Sequence, residues 1–192
     1  METLLRKLGS REIARAAEVF SEMFKDYSAY SEILAPERME KGRRALFLYE
    51  VFAASPFTYV AGEFEGIASV KRPGDKERGG FFLSPCRSIE FLSSVGREGV
   101  KKAAEYSRFA AEVSARHYRP DTDCYVKNIG VAESARGKGL LRAMLGELTE
   151  GMPVYLETHD ENNVAIYRHL GFELVETARF GGAYHFAMRR EK

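Results

Sequence analysis

A chain of 192 residues, 45% hydrophobic and 30% charged, has the composition of a globular protein with one sizeable core and is short for two. Its 29 lysines and arginines against 28 aspartates and glutamates leave a formal net charge of +1, without the basic excess that nucleic-acid binders carry. Cys86 and Cys124 make neither a disulfide framework nor a CxxC metal site, and no apolar run is long enough for a signal peptide or a membrane span. Reduced thiols, a cytoplasmic location and one domain over residues 1–192 are expected.

In chain order, Thr3 to Leu8 reads as a short strand, and Ser10 as the N-cap of a helix with Ile13, Ala17, Phe20 and Phe24 on one face. A second helix spans Arg44 to Phe52 and stops at Ser55-Pro56. Phe57–Ala61 and Ile67–Val70 flank a glycine-bounded turn and read as a hairpin. Glu98 to Arg116 is helical, Cys124 to Val131 a strand, Gly139 to Leu148 a helix and Val154 to Thr158 a strand. Asn163 to Leu170 is a short helix closed at Gly171 by a left-handed cap, and Phe172–Glu176 with Tyr184–Arg189 form a last strand pair. The result is an α/β chain built on one sheet.

Ile129-Gly130-Val131-Ala132-Glu133-Ser134-Ala135-Arg136-Gly137-Lys138-Gly139-Leu140-Leu141 carries the strongest signal. A strand runs into a glycine-bearing turn from which a helix begins. Glycines admit an anion close to the backbone, and the first free N–H groups of a helix point at it. Arg136, Lys138 and Arg142 add positive charge, although a solvated helix face would carry the same residues. A Walker A loop is excluded because Gly137-Lys138 is followed by Gly139 rather than Ser or Thr. A dinucleotide GxGxxG loop is excluded because its third glycine would stand at Arg142.

The segment Arg136-Gly137-Lys138-Gly139-Leu140-Leu141 resembles the pyrophosphate loop of the GNAT N-acetyltransferases, Arg/Gln-x-x-Gly-x-Gly/Ala, departing from it at Leu141. Downstream, Leu156-Glu157-Thr158 followed by Asn163-Val164 and Tyr167-Arg168-His169-Leu170-Gly171-Phe172 resembles the strand and helix that complete the site in that superfamily. The form is similar to the branch containing puromycin N-acetyltransferase, as are the hairpin Tyr59–Val70 running into Arg72-Pro73-Gly74 and His117 ahead of Tyr125. The motifs cover about the last third of the chain. The resemblance implies a single mixed, largely antiparallel sheet with helices on both faces. The strands Tyr125–Val131 and Val154–Thr158 would splay apart, with pantetheine lying along Ile129, Gly130 and Val131. A glycine inside a strand, as at Gly130, also marks close backbone approach.

It further implies that acetyl-coenzyme A is the donor and an amine, expected to be a small molecule, the acceptor. An alkylamine with a pKa of about 10 must lose a proton before attacking a thioester. Tyr167 is the candidate acid for the departing thiolate; simple packing is its other reading. Glu157, a carboxylate among apolar strand residues, is the candidate base, with His117 or a water chain as rivals. Asn163 contacts the cofactor, caps the helix at Val164, or does both. His159, Asp160 and Glu161 lack a partner cluster, so no metal is expected. Tyr27, Tyr30, Phe47, Phe57, Phe81, Phe82 and Phe91 suffice to line an acceptor pocket, though such residues are more often core. A protein N-terminal or lysine acetyltransferase and a non-catalytic acyl-CoA-binding module are the alternatives. Neither nucleic acid nor membrane is expected as a partner, and the sequence leaves a homodimer open.

Overall fold

The computed structural model describes residues 4–192, so Thr3, expected in the first strand, lies outside the described residues. The strands are β1 (Leu5–Lys7), β2 (Thr58–Ala61), β3 (Gly66–Lys71), β4 (Cys124–Val131), β5 (Val154–Thr158), β6 (Glu173–Phe180) and β7 (Ala183–Arg190). The helices are α1 (Ile13–Met23), α2 (Ala29–Ile33), α3 (Met39–Ala54), α4 (Pro85–His117), α5 (Leu140–Leu148) and α6 (Glu161–His169). Among the described residues one sheet holds all seven strands in the order β1-β2-β3-β4-β5-β7-β6. Every neighbouring pair is antiparallel except β4 and β5, which run parallel. This is the mixed, largely antiparallel sheet implied by the resemblance.

Each face of the sheet is covered by helices whose apolar stripe it buries. On one face Phe20 of α1 and Phe47 and Val51 of α3 pack with Val60 and Ile67, all fully buried or nearly so. On the other, Met144, Leu145 and Leu148 of α5 meet Ala68, Val70, Val126, Val154 and Leu156.

The elements depart from the sequence reading in several places, among them α3, which begins at Met39 rather than Arg44, and β6, which runs on to Phe180 rather than ending at Glu176. Ser10 opens a 3-10 turn rather than capping α1, whose N-cap is Glu12. The helix expected from Glu98 starts at Pro85 and is broken at Gly96, where φ is 78°. Its first part buries Phe91 and Val95 but exposes Ile89 and Leu92, so no helical apolar period marks it. The five-residue α2 is too short to show a period. Lastly, α6 begins at Glu161, where the Asp160 carboxylate accepts the Asn162 N–H at 2.9 Å. Asp160, not Asn163, therefore caps the helix.

The feature that positions the site lies at the centre of the sheet. β4 and β5 are paired only from Cys124 to Val126 against Val154 to Leu156. β4 carries a register shift opposite Ser69 and Val70, yet stays paired with β3 through Val131. Such an irregularity bends a strand and increases its twist, which carries β4 away from β5. Past Val126, the edge of β4 that would meet β5 opens onto a gap.

Candidate active site

An open cleft of about 820 Å³ occupies this gap. Its floor is Ile129, Gly130 and Val131. Met23, Phe24 and Tyr27 close one side, and Asn163, Ile166 and Tyr167 of α6 the other. Arg136, Gly137 and Gly139, followed by Leu140, Leu141 and Arg142 at the start of α5, form one end. Lys138 is exposed and does not belong to the wall, so of the residues expected to hold the cofactor it alone stands away from the cleft.

Local conformation explains the glycines. Gly137 and Gly139 adopt φ of 75° and 77°, a region that side chains rarely enter. A Cβ on either would meet nothing within 4 Å, so their backbone lies bare. The first N–H groups of α5 have no partner within the helix and face the same end of the cleft. At Gly130 the reason is closeness: a Cβ would fall 2.6 Å from the sulfur of Met23. Bare backbone, a helix N-terminus and two guanidinium groups fit a pyrophosphate, and the long apolar wall fits a pantetheine chain.

Tyr167 is buried against Phe172, and burial followed by the neighbouring Tyr27 raises its pKa above the ordinary phenol value. Tyr27 is a second phenol in the wall. Its hydroxyl shares a hydrogen bond with Thr158 Oγ1 and accepts the His159 N–H at 3.3 Å. Asn163 Nδ2 donates to the same threonine oxygen at 3.3 Å. In the sequence Tyr27 is only one aromatic among several, because nothing local ties it to a strand 131 residues away. Of the others, Phe47, Phe57 and Phe81 are core.

No family model matches the chain. A 59-residue stretch is 37% identical to an uncharacterized N-acetyltransferase of Schizosaccharomyces pombe, covering 28% of this chain and about a quarter (24%) of that protein. Among solved structures, a Corynebacterium glutamicum protein described as histone acetyltransferase HPA2 and related acetyltransferase superposes over 100% of this chain and 97% of its own, with a TM-score of 0.66 and 20% identity. An N-acetyltransferase from Staphylococcus aureus covers 97% of this chain and 100% of its own at a TM-score of 0.59 and 13% identity. Arylalkylamine N-acetyltransferase 2 from Aedes aegypti covers 97% of both at 0.58 and 13%. The chain has the GNAT acetyltransferase fold.

Within this GNAT fold, Glu157 stands on the sheet face opposite the neighbouring Leu156 and Thr158 and is not part of the cleft wall. Its carboxylate accepts hydrogen bonds from Tyr155 at 2.7 Å and Tyr125 at 2.9 Å. His185 Nε2 lies 3.5 Å away. His185 Nδ1 is in turn 3.1 Å from His159 Nε2, which the Tyr106 hydroxyl approaches to 2.8 Å. Burial and then the nearby His185 lower the His159 pKa to about 3. His185 and Tyr106 escaped the sequence reading, since a lone histidine and a helical tyrosine give no sign of meeting 79 residues apart. His117, the rival base, is committed elsewhere: Nε2 sits 2.7 Å from Glu176, which Arg116 also grips and whose pKa falls to about 2.

Proposed function

We propose that this chain transfers an acetyl group from acetyl-coenzyme A to a primary amine by direct attack, with a small molecule as the acceptor. The observation that carries the reading is the cleft itself. It starts where two parallel strands part and ends on the bare backbone of Gly137 and Gly139, with Tyr167 in its wall. The N-acetyltransferases that share the fold support the same donor chemistry.

Arg136, Arg142 and the N-terminus of α5 hold the pyrophosphate by charge and backbone hydrogen bonds. The edge of β4 at Ile129 to Val131 offers N–H and carbonyl groups to the pantetheine and to the oxygen on which charge develops. Asn163 closes the opposite wall. Tyr167 stays protonated at neutral pH because burial raises its pKa, and it supplies a proton as the carbon–sulfur bond breaks. Phe24 and Tyr27 give the cleft an aromatic side suited to a compact acceptor, in keeping with an arylalkylamine acetyltransferase on the same fold.

Calorimetric titration with acetyl-coenzyme A, followed by a panel of amines read through free thiol release, tests this. Saturable binding and release with a small amine are expected. Release only with peptides would make the chain a protein acetyltransferase, and binding without release an acyl-CoA-binding module. Absence of binding would remove the cleft from the account altogether.

A further inference from the structure

Glu50, half-buried on α3, is a carboxylate without a cation. Asn128 Nδ2 of β4 donates to its Oε2 at 3.1 Å, and among the described residues it makes no ion pair. Lys127, whose charge reaches it, is held by Glu77. Arg43, on the same helix, is committed to Ser21 and to the Lys25 carbonyl. A charge withdrawn from water normally has a partner, so this one asks for a reason. Three acceptor atoms here are also unused. Glu50 Oε1, Asn128 Oδ1 and the Tyr30 hydroxyl have no hydrogen-bond partner among the described residues. None of them is sealed from solvent, unlike the buried orphan atoms of His159, His185 and Arg87. Glu50 stands close enough to Tyr30 to raise its pKa beyond what burial does. An ammonium group has three donors to offer such a set.

The strand itself ties this group to the cleft. Asn128 immediately precedes Ile129, the first residue of the cleft floor, and lies past Val126, where the pairing of β4 with β5 ends. It pairs with Ser69 as Gly130 pairs with Ile67, so Asn128 and Gly130 share the face of β4 that looks toward α1 and α3. With the pyrophosphate over Gly137 and Gly139, a pantetheine chain running back past Val131 and Ile129 brings its thioester to the Asn128 end. Tyr27 of the cleft wall bears electrostatically on Tyr30 and Tyr106, and so does Glu50, which groups the four side chains together. We propose that Glu50, held in place by Asn128, receives the acceptor as an alkylammonium at the thioester end of the cleft and takes its proton. The inference rests on the amine-acetylation reading above.

The step is a proton transfer alone. An ammonium and the Glu50 carboxylate become a free amine and a carboxylic acid, and the nitrogen lone pair then attacks the thioester carbon. As the carbon–sulfur bond breaks, the thiolate takes a proton from Tyr167, and Glu50 returns its own proton to solvent before the next turnover. The surroundings suit a base. Burial raises the pKa of Glu50, and Glu77 adds to the rise, against the opposing pull of Asn128 and Lys127; a carboxylate lifted in this way accepts a proton more readily. Tyr30 of α2 and Tyr106 of α4 have pKa values raised chiefly by burial and stay neutral, so they put no rival charge beside the ammonium. The acceptor class follows: an alkylamine, cationic at neutral pH, finds a counter-charge here that an aromatic amine would not use.

The test uses Glu50→Gln and Glu50→Asp with an alkylamine that the wild-type protein acetylates, followed by thiol release from about pH 6.5 to 9.5. The glutamine keeps an oxygen for Asn128 and removes an unpaired charge, so acetyl-coenzyme A affinity should hold and the thermal midpoint should stay level or rise. At pH 7 Glu50→Gln is expected to lose kcat/KM by at least about a hundredfold, the lower part of what general base catalysis supplies. The deficit should close as the pH approaches that of the free amine, where no base is needed. No loss, or a loss of equal size across the whole pH range, would overturn the assignment. Should Glu50→Gln fold poorly, Glu50→Asp decides: it keeps the charge, so its activity, though lower, should follow the pH dependence of the wild type. Activity in Glu50→Asp that rises tenfold per pH unit up to the amine pKa would mean that no carboxylate takes the proton. A wild type that acetylates aromatic amines but no alkylamine would sink this inference and leave the functional reading standing. One that binds acetyl-coenzyme A and acetylates no amine at all would bring down that reading, and the role of Glu50 with it.

Discussion

Tyr167 and Tyr27 both present phenols to the cleft, but their surroundings divide them. Tyr27 is tied to Thr158 and to the backbone of His159, so its hydroxyl is already engaged in holding the end of β5. Tyr167 lines the cleft, buried against Phe172, and among the described residues no hydrogen bond engages its hydroxyl, which leaves it the freer donor. Removing that hydroxyl alone would take away the proposed acid but no packing. Tyr167→Phe is therefore expected to cut turnover by about a hundredfold while acetyl-coenzyme A affinity changes little. Thiol-release kinetics with parallel calorimetry check both halves. A large loss of affinity at unchanged turnover would make Tyr167 a binding residue. At this scale the sequence carried much of the candidate site: the residues around Gly130, Gly137 and Tyr167 cluster in two short segments, each readable locally. The residues it hid, Tyr27, Tyr106 and His185, enter through tertiary contacts made by segments far apart in the chain.

Between elements, the same division between local and distant information holds. β4 and β5 were legible to the residue because short apolar runs bounded by turns mark buried strands. The first part of α4 was not, since Ile89 and Leu92 point outward there and blur the period. The joint between α4, β4 and β7 was also hidden in the sequence. It is made by Asp123, fully buried, which accepts hydrogen bonds from Arg189 at 3.1 and 3.3 Å and from Thr122 at 2.8 Å. Burial alone would raise its pKa, but Arg189, Thr122 and the Arg119 N–H outweigh it and lower the value. A depressed folded-state pKa adds stability that is fully present above the unfolded value of about 3.9 and fades as pH falls through the folded one. Asp123→Asn should thus destabilise the protein at pH 7 by up to about 3 kcal/mol, since Arg189, mostly buried, would keep only the exposed Glu191 as a counter-charge. The gap from wild type should narrow steadily below about pH 4. Urea unfolding at pH 7 and pH 3 measures it, and an equal gap at both would show that the pair contributes through packing rather than charge.

At the scale of the whole molecule, the sheet is two antiparallel halves joined by three residue pairs between β4 and β5. Most of the cleft lies where that joint is missing, with β4, α5 and the end of α1 on one side and α6 on the other. A ligand held by both sides closes the opening from within, so its binding energy appears directly as resistance to unfolding. At a hundred times its dissociation constant, acetyl-coenzyme A is expected to add about 2.7 kcal/mol. For a chain of this size that raises the melting temperature by about 5–10 °C. Gly139→Glu separates this gain from the stability of the fold. A side chain at φ 77° costs about 1 kcal/mol, so the variant should melt slightly lower on its own. Its carboxylate would stand in the open space over the loop and repel the pyrophosphate, so added acetyl-coenzyme A should no longer move the transition. A variant that still gains several degrees would place the pyrophosphate away from this loop, and a wild type that gains none would mean that the two halves are not bridged by this ligand.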